Sequence, residues 1–390
     1  MTPNSATPGD AVALSLEEGA AAIRALLAPG ETSLLIAVSG GPDSLVLMHA
    51  AAHLARIAPA YRVAVACVDH GLRRESATEA QVVARQAESL GLACRILRWE
   101  ATPKPRHGLQ EAARRARYAL LAQEARRIGA QAVLTAHTCD DQAETVLMRI
   151  AAGSGIDGLA GMAARTPLTS GTERRIMLAR PFLGIAKSRL LAACTTLDLS
   201  PVRDPSNTDP RFARARLRQS MTALAAEGLT ARRLVRLGAR ARQAREGLDF
   251  AGEMLFRSAR SAVAADGAAH AGGSARPVVS LDARSLTGAP PALLMRVLTL
   301  ALAQLSELAP HDAGSRPDIS IAAERVGQIR LARLENLANA LHEALASGCD
   351  LKARTLAGAR FVLSDDAILQ ISPAPERRRG PSSSCTGRGR

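Results

Sequence analysis

Paired cysteines and long apolar runs are both absent from this sequence, and each absence excludes a class of protein. No two cysteines form a CxxC pair, which argues against a zinc ribbon, an iron–sulfur site and a disulfide framework. No apolar run approaches the ~18 residues that span a membrane, and the first residues lack the basic start and apolar stretch of a secretory signal. We therefore expect a cytoplasmic protein with no membrane partner. The six cysteines are residues 67, 94, 139, 194, 349 and 385.

Lysine is also scarce: only Lys104, Lys187 and Lys352 occur among the 50 basic residues, and the rest are arginine. The net charge of +14 suggests a polyanionic partner, although an arginine-rich composition alone is an equal alternative. The distribution of charge favours the partner, because arginines between Arg203 and Arg245 outnumber acidic residues by eight. Nucleic acid is the polyanion that we expect.

The length of 390 residues allows two or three domains. Changes in composition and periodicity predict five segments. They are an N-terminal extension with a first helix at 1–30, a catalytic domain at 31–220, an arginine-rich connecting helix at 221–263, a C-terminal domain at 277–372 and a disordered tail at 373–390.

Up to about residue 155, apolar runs typical of strands alternate with helical stretches. Nearly continuous apolar runs are typical of a sheet buried on both faces, and the alternation favours a doubly wound parallel sheet of the α/β class. In such a sheet ligands bind beyond the carboxyl ends of the strands, so we expect the site after Val38, Val68 and Ala136. The predicted strands are 33–38, 62–69, 93–98 and 131–136, and the predicted helices are 43–58, 75–91, 108–129 and 140–151.

The remainder of the chain predicts a mainly helical C-terminal region with a small β element. Residues 160–220 show turns and little periodicity, and 264–276 has the composition of a linker. The predicted helices are 229–262, 290–308 and 320–347, and a strand pair is predicted at 351–372.

The first predicted strand runs into a helix through six residues that we call the phosphate loop: Ser39, Gly40, Gly41, Pro42, Asp43 and Ser44. The glycines leave backbone N–H groups open to an anion, the serines add hydroxyl donors, and the helix directs its positive N-terminal end at the same point. The lysine of a Walker loop is absent. Asp43 is unusual beside a phosphate unless it holds Mg²⁺ or caps the helix. A helix cap with a tight turn is the alternative interpretation of the whole loop.

The segment after the fourth predicted strand carries His137, Asp141 and Glu144. Because Asp141 and Glu144 are three residues apart on the first turns of a helix, we expect their carboxylates on one side, facing the strand ends. Two carboxylates beside a phosphate site suit Mg²⁺ or the ammonium group of an amine substrate. The alternatives stay open: both acids could instead stabilise the helix N-terminus, and His137 could be a surface imidazole.

Together these motifs resemble those of the tRNA(Ile)-lysidine synthetase family, which lies within the pyrophosphate-loop ATP hydrolases. The phosphate loop matches the SGGxDS signature of that superfamily, which implies ATP and adenylation without choosing the substrate. Seven segments occur in the family's order over residues 34–218, and the last is the most discriminating because thiolating relatives lack it in this form. They are SGGPDS, VDHGLR, EAARRARYALL, AHTCDDQAETVLMR, GSGIDGLAGM, ARPFLGIAKSRL and DPSNTDPRFARARLR.

The resemblance implies an adenine nucleotide alpha-hydrolase-like fold and a ligase that consumes ATP. In this reaction O2 of the wobble cytidine of a CAU-anticodon isoleucine tRNA attacks the α-phosphorus and releases pyrophosphate. The ε-amine of free L-lysine then attacks C2 and expels AMP. The resemblance places ATP at the phosphate loop and Mg²⁺ at Asp43 and Asp141. It gives catalytic roles to Asp43, Arg117, His137, Asp141 and Glu144.

The resemblance also implies substrate and tRNA contacts. Arg114 and Arg117 would meet the substrate carboxylate or a phosphate, and residues 277–372 would contact the tRNA body. Phe212 could stack on a base or pack in the protein, and the arginine run could instead be a solvated helix face. No oligomeric state is predicted, and a homodimer stays open. The implied tRNA residues are Arg203, Asp204, Asn207, Arg211, Phe212, Arg214, Arg216 and Arg218.

The sequence departs from the family pattern at three positions. Thr138 stands where the family has a second histidine, Ala152 where it has arginine, and Ala215 where it has asparagine. Two other functions therefore stay open. One is a thiolating tRNA adenylase, for which Cys139 is the candidate cysteine at a strand end, and the other is a module that holds ATP and tRNA without turnover.

Overall fold

The computed structural model describes residues 12–71, 75–100, 108–169, 175–202, 213–261, 277–308 and 331–375. The chain divides into two compact units, residues 1–244 and 245–390. The boundary lies within one long helix, Ala231–Ser261. The finer division into five segments stays a prediction, and its linker at 264–276 and most of its tail lie outside the described residues.

A six-stranded sheet forms the centre of the first unit. Its order is β3-β2-β1-β4-β6-β5, and every neighbouring pair is parallel except β5 and β6. All residues of the first and fourth strands are buried, as expected where helices cover both faces. The predicted doubly wound parallel sheet is confirmed. The strands are β1 (Ser33–Ala37), β2 (Arg62–Asp69), β3 (Ala93–Arg98), β4 (Ala132–Leu134), β5 (Arg165–Pro167) and β6 (Met177–Ala179).

Two apolar layers hold helices against this sheet, because alternate side chains of a strand point to opposite faces. Leu34 and Ile36 pack in one layer with Leu47, while Leu35 packs in the other with Leu121. The four helices predicted between the strands are found within two residues of their predicted ends. The helices are α1 (Leu16–Ala25), α2 (Pro42–Ile57), α3 (Ser76–Ser89), α4 (Leu109–Ile128), α5 (Cys139–Ala151), α6 (Ile156–Leu159), α7 (Lys187–Thr196), α8 (Ala213–Ala226) and α9 (Ala231–Ser261).

The prediction of turns throughout residues 160–220 is wrong, because β5, β6, α7 and the start of α8 lie there. Both strands are three residues long, which is too short to show a periodic pattern. They form through long-range pairing: β6 lies parallel to β4, with Leu178 opposite Val133, and β5 pairs antiparallel with β6.

The strand order places two loops side by side at the carboxyl edge of the sheet. The chain runs from β1 to β2 and β3 on one side and returns to β4 and β6 on the other, so the order reverses between β1 and β4. A crevice opens at such a reversal in α/β sheets. Ser39 follows β1 and Thr135 follows β4. The phosphate loop and the segment that contains His137 therefore stand at this crevice.

The second unit contains a four-stranded antiparallel sheet in the order β7-β10-β9-β8. The strand pair predicted at 351–372 is thus three strands, joined by β7 from earlier in the chain. The helix predicted at 320–347 is described only from Leu331. The elements are β7 (Val279–Asp282), α10 (Pro291–Leu308), α11 (Leu331–Ser347), β8 (Arg354–Leu356), β9 (Ala359–Leu363) and β10 (Ile368–Pro373).

One helix, α10, is long and apolar enough to cross a membrane by length and composition alone, with 18 residues and a mean hydropathy of 1.3. Core helices of ordinary globular proteins satisfy the same test, so this is weak evidence. Arg296 and Glu307 interrupt its apolar residues. One side of the helix, including Leu294 and Leu298, packs with Phe361 in the core of the second unit.

Candidate active site

The phosphate loop closes the end of β1 and begins α2. Gly41 is the N-cap residue and Pro42 takes the first helical position, where a missing N–H costs nothing. The Ser44 hydroxyl accepts a hydrogen bond from the Ser39 N–H at 3.2 Å and donates one to the Gly41 carbonyl at 2.9 Å. These bonds fix the shape of the loop. The first N–H groups of a helix have no acceptor within it, so the loop presents donors to an anion.

The two glycines of the loop have different reasons to be glycine. Gly40 has a φ of +82°, and a Cβ there would lie 3.1 Å from Val202 Cγ2 and 3.3 Å from Val83 Cγ2. Gly41 has an ordinary φ of −72°, and a Cβ there would meet only the Ser39 hydroxyl, at 3.8 Å. The fold therefore requires glycine at position 40 but tolerates a methyl group at 41. The open space at Gly41 belongs to the neighbouring cavity.

We expect Gly41→Ala to keep the fold and to weaken ATP binding by roughly 10- to 100-fold, the worth of one or two charged hydrogen bonds. The added methyl group would occupy the space through which a phosphate approaches the backbone. Isothermal titration with ATP and the melting temperature measure the two effects. Gly40→Ala is the matched variant, and it should lower the melting temperature because position 40 needs a positive φ. Unchanged ATP affinity in folded Gly41→Ala contradicts the prediction.

A cavity of about 350 Å³ opens beside the phosphate loop, between the ends of β1 and β2. This volume lies in the range of small-ligand sites. Ser39 and Gly41 form one side and Arg117 of α4 reaches it from another. Further lining comes from Val38, Cys67, Val68, His70, Ser76, Glu79 and Val202. The cavity therefore has a mixed polar and apolar lining and adjoins the anion-binding end of α2.

Asp43 forms an ion pair with Lys187 from the start of α7, with 3.1 Å between Oδ2 and Nζ. The other carboxylate oxygen, Oδ1, is buried and has no hydrogen-bond partner within the described part of the chain. Burial raises the pKa of Asp43, Lys187 opposes this, and the charges of Asp141 and Asp140 raise the pKa further. The fold thus keeps a carboxylate with one unused oxygen at the edge of the phosphate loop.

This unused oxygen fits the predicted contact with Mg²⁺. Mg²⁺ typically takes one or two protein carboxylates and fills its remaining positions with phosphate oxygens and water. Within the described ranges, no three His, Cys, Asp or Glu side chains form a metal cluster. A metal at Asp43 would therefore depend on a nucleotide for its other ligands.

Asp141 caps the helix in which it lies. Its Oδ2 accepts hydrogen bonds from the Thr138 N–H at 2.8 Å and the Thr138 hydroxyl at 2.9 Å, while its own N–H donates to that hydroxyl. This is a capping box, and it satisfies the N-terminal donors of α5. Thr138, one of the departures from the family pattern, is completely buried in this role.

Glu144, one turn after Asp141 on α5, binds Arg218 of α8. Arg218 Nε lies 2.7 Å from Oε1 and Nη2 lies 3.0 Å from Oε2, so both carboxylate oxygens are engaged. Asp141 also acts electrostatically on Arg218, and a common ligand for Asp141 and Glu144 stays a prediction. Arg218, expected at tRNA phosphates, is also engaged here, and this hydrogen bonding raises its pKa.

His137 lies at the end of β4, with Nδ1 3.0 Å from the Thr135 hydroxyl. Burial lowers the pKa of His137 to about 4; Asp141 acts in the opposite direction, and Arg180, Arg117 and Arg114 lower it further. The imidazole is therefore neutral at pH 7. It lies partly buried at the end of β4, and its catalytic role stays a prediction.

The other predicted site residues have different outcomes. Arg117 lines the cavity, and Arg114, one turn earlier, lies over the ring of Tyr118 with 5.1 Å from Cζ to the ring centre. Arg216 is exposed on α8. The side chain of Arg214 and all of Arg203, Asp204, Asn207, Arg211 and Phe212 lie outside the described residues.

Sequence reasoning missed two cations that the structure places at the site, Lys187 and Arg180. Both lie in the segment ARPFLGIAKSRL, which contributed to the resemblance without any role for a single residue. A signal was present for Lys187, because it is one of three lysines in a chain that otherwise uses arginine. Arg180 had no such signal, and only its burial at the end of β6 distinguishes it.

Known proteins resemble the chain in sequence. Residues 16–225 match the family model described as the PP-loop domain. The chain is 46% identical over 369 residues to a tRNA(Ile)-lysidine synthase of Methylobacterium nodulans, covering 94% of this chain and 98% of that protein. It is 43% identical over 354 residues to a tRNA(Ile)-lysidine synthase of Rhodopseudomonas palustris, covering 89% and 92%.

A solved structure, the U34-tRNA thiolase NcsA from Methanococcus maripaludis, is 17% identical with a TM-score of 0.48 and covers 58% of this chain and 78% of that one.

Proposed function

This chain belongs to the tRNA(Ile)-lysidine synthase family of PP-loop proteins, and we propose that it ligates lysine to C2 of the wobble cytidine in a CAU-anticodon isoleucine tRNA, at the expense of ATP. The observation that carries this proposal is the phosphate loop beside a nucleoside-sized cavity, with the unused Oδ1 of Asp43 at its edge. The cytoplasm, where ATP and tRNA occur, is the proposed location.

The first step would join O2 of the cytosine to the α-phosphorus and release pyrophosphate. Negative charge grows on the leaving pyrophosphate, and donors that are already in position stabilise it without reorganisation. The Ser39 hydroxyl and the N-terminal N–H groups of α2 would supply such donors, while the Ser44 hydroxyl, which donates to the Gly41 carbonyl, holds the loop in shape. Asp43 would hold Mg²⁺, which when bound supplies further positive charge to the phosphates. Arg117, which lines the cavity, is placed to meet the α-phosphate.

The second step would form the bond between the lysine ε-amine and C2 and expel AMP. An amine of pKa ~10.4 is almost wholly protonated at neutral pH, so a group at the site must accept its proton. His137 is uncharged because burial lowers its pKa to about 4, which also makes it a weak base, and Asp141 retains a second carboxylate oxygen beyond its capping bonds. These two groups are the candidate acceptors.

The tRNA would bind over the arginine-rich segment that begins near residue 203. Arg216 is exposed on α8 and would neutralise a phosphate, and the wobble base would leave its stack to reach the cavity. We place free L-lysine on the side of the crevice away from the cavity, beyond β4. Contacts between residues 277–372 and the tRNA body are part of the same proposal.

The raised pKa values of the cysteines near the site argue against a sulfur-transfer reaction. A reactive cysteine needs a lowered pKa, but burial raises the pKa of Cys67 in the cavity to about 12 and that of Cys94 to about 11. Burial also raises the pKa of Cys139, the candidate at a strand end. A thiolating adenylase therefore lacks its nucleophile here.

The proposed function is tested by incubating the protein with ATP, Mg²⁺, radiolabelled lysine and a CAU-anticodon isoleucine tRNA transcript. We expect label in the RNA that depends on ATP, and AMP released in equal amount. A methionine tRNA transcript with the same anticodon is the control. Binding of tRNA without AMP release would show an inert module, and AMP release that requires a sulfur donor would show a thiolating enzyme.

A further inference from the structure

Arg180 is a buried cation at the end of β6, with 6% of its surface exposed. Its Nη1 donates to the Ala163 carbonyl at 2.7 Å and to the Thr166 hydroxyl at 3.4 Å, and both acceptors are neutral. Its Nε is buried and has no hydrogen-bond partner anywhere in the described ranges. A buried guanidinium without an anion costs free energy of folding. An anionic ligand would remove that cost.

Arg180 is held next to the segment that carries His137. The Thr135 N–H donates to the carbonyl of Ala179 at 3.0 Å, which brings the ends of β4 and β6 together. On the other side stands Tyr118 of α4. Burial lowers the pKa of Arg180, and the nearby Tyr118 hydroxyl opposes that shift.

Further positive charge surrounds this corner. The Arg114 guanidinium lies over the Tyr118 ring, 5.1 Å from its centre, so one tyrosine contacts two arginines. Arg117 is one turn from Arg114 on the same helix, and His137 carries no charge at neutral pH. The charges that act on His137 are therefore three guanidinium groups and one carboxylate, Asp141, part of which is used for capping.

We propose that Arg180, assisted by Arg114, binds the α-carboxylate of the amino-acid substrate. This inference rests on the proposed function, which supplies lysine as that substrate. The planar guanidinium group matches a carboxylate in shape and charge. The Arg180 Nε, which has no partner among the described residues, can donate a hydrogen bond to that carboxylate.

The strand order favours a carboxylate over a nucleotide phosphate as the ligand. The cavity lies between β1 and β2 and the phosphate loop follows β1, whereas Arg180 follows β6, two strands from β1 on the opposite side. Two strand spacings are about 10 Å. A lysine anchored by its carboxylate at β6 would extend its side chain towards the phosphate loop, which is where the ε-amine must react.

The test compares lysine with lysine amide, which keeps both amines and lacks the carboxylate. The wild-type protein should prefer lysine in kcat/KM by about 10- to 100-fold, the range for hydrogen bonds between charged groups. Arg180→Gln should raise the KM for lysine by a similar factor and abolish the preference. The KM for ATP and the tRNA-dependent release of pyrophosphate without lysine should change less than about twofold. Arg180→Lys keeps the charge and should restore part of the preference.

A matched variant separates binding from folding. Arg165 is also a partly buried arginine, but it pairs with Glu31 at 2.7 Å. Arg165→Gln should lower the melting temperature and leave the preference for lysine intact. If Arg180→Gln does not fold, the preference of the wild-type protein and its partial retention in Arg180→Lys still decide the question.

Two outcomes overturn the inference while the proposed function stands. One is a wild-type protein that forms lysidine but uses lysine amide equally well. The other is an Arg180→Gln variant that still prefers lysine to lysine amide. Loss of pyrophosphate release in that variant would also overturn the inference, because it would show that Arg180 contacts the phosphates. Failure of the wild-type protein to attach lysine to the tRNA under any condition overturns the proposed function itself.

Discussion

Asp43→Asn is expected to lower lysidine formation by about 10³-fold or more, with little change in stability. The substitution keeps the shape of the side chain and removes its negative charge. This would weaken the proposed contact with Mg²⁺, which when bound would stabilise a leaving pyrophosphate by about several kcal/mol. Oδ1 is buried and has no partner among the described residues, so the carboxylate contributes little to the fold through that oxygen.

The stability of Asp43→Asn follows from two opposing effects. Burial raises the pKa of Asp43, which means that the charged form is disfavoured in the fold, and asparagine removes that penalty. The variant loses the ion pair with Lys187, whose side chain is 34% exposed, and ion pairs this exposed contribute about 1 kcal/mol or less. The melting temperature should therefore change by only a few degrees.

Asp140→Asn is the matched control for this experiment. Asp140 lies near the same site, where its Oδ2 accepts a hydrogen bond from the Lys187 N–H at 2.8 Å, and asparagine keeps that acceptor. We expect its activity within about threefold of wild type. Lysidine formation at saturating ATP and tRNA is the measurement. An equal loss of lysidine formation in Asp43→Asn and Asp140→Asn would mean that activity depends on the total negative charge of the site. It would contradict a specific role of Asp43 in binding the metal.

Arg218→Met is expected to destabilise the first unit by about 2–4 kcal/mol, whereas Glu144→Gln should cost about 1 kcal/mol. The asymmetry follows from exposure. The Glu144 side chain is 5% exposed and that of Arg218 is 41% exposed, so removing the arginine leaves a buried carboxylate without a partner. Removing the carboxylate leaves an arginine that water can reach.

The pair is measured by urea unfolding of the wild-type protein, both single variants and the double variant. The double variant should be more stable than Arg218→Met alone, because it no longer buries an unpaired charge. Around the pair, Ala143 and Val146 of α5 pack with Leu234 of α9 and with Leu217 of α8, so this apolar contact stays in place in every variant. Equal costs for the two single variants would show that burial does not govern the pair.

The sequence alone determined the features that depend on neighbouring residues. The order of strands and helices up to residue 155 is readable because apolar runs of five to eight residues alternate with amphipathic stretches. The phosphate loop is readable because its glycines, serines and proline act through local backbone geometry, such as the positive φ of Gly40.

Only the tertiary structure decided which charged groups meet. Glu144 binds Arg218, 74 residues away, and Asp43 binds Lys187, 144 residues away. Arg180 takes its place because a three-residue strand, Met177–Ala179, pairs with β4. No periodicity encodes such contacts, since each depends on how separate elements pack and on which groups that packing removes from water. The phosphate loop could therefore be identified from the sequence, whereas the ion-pair partners of Asp43 and Glu144 could be identified only from the tertiary structure.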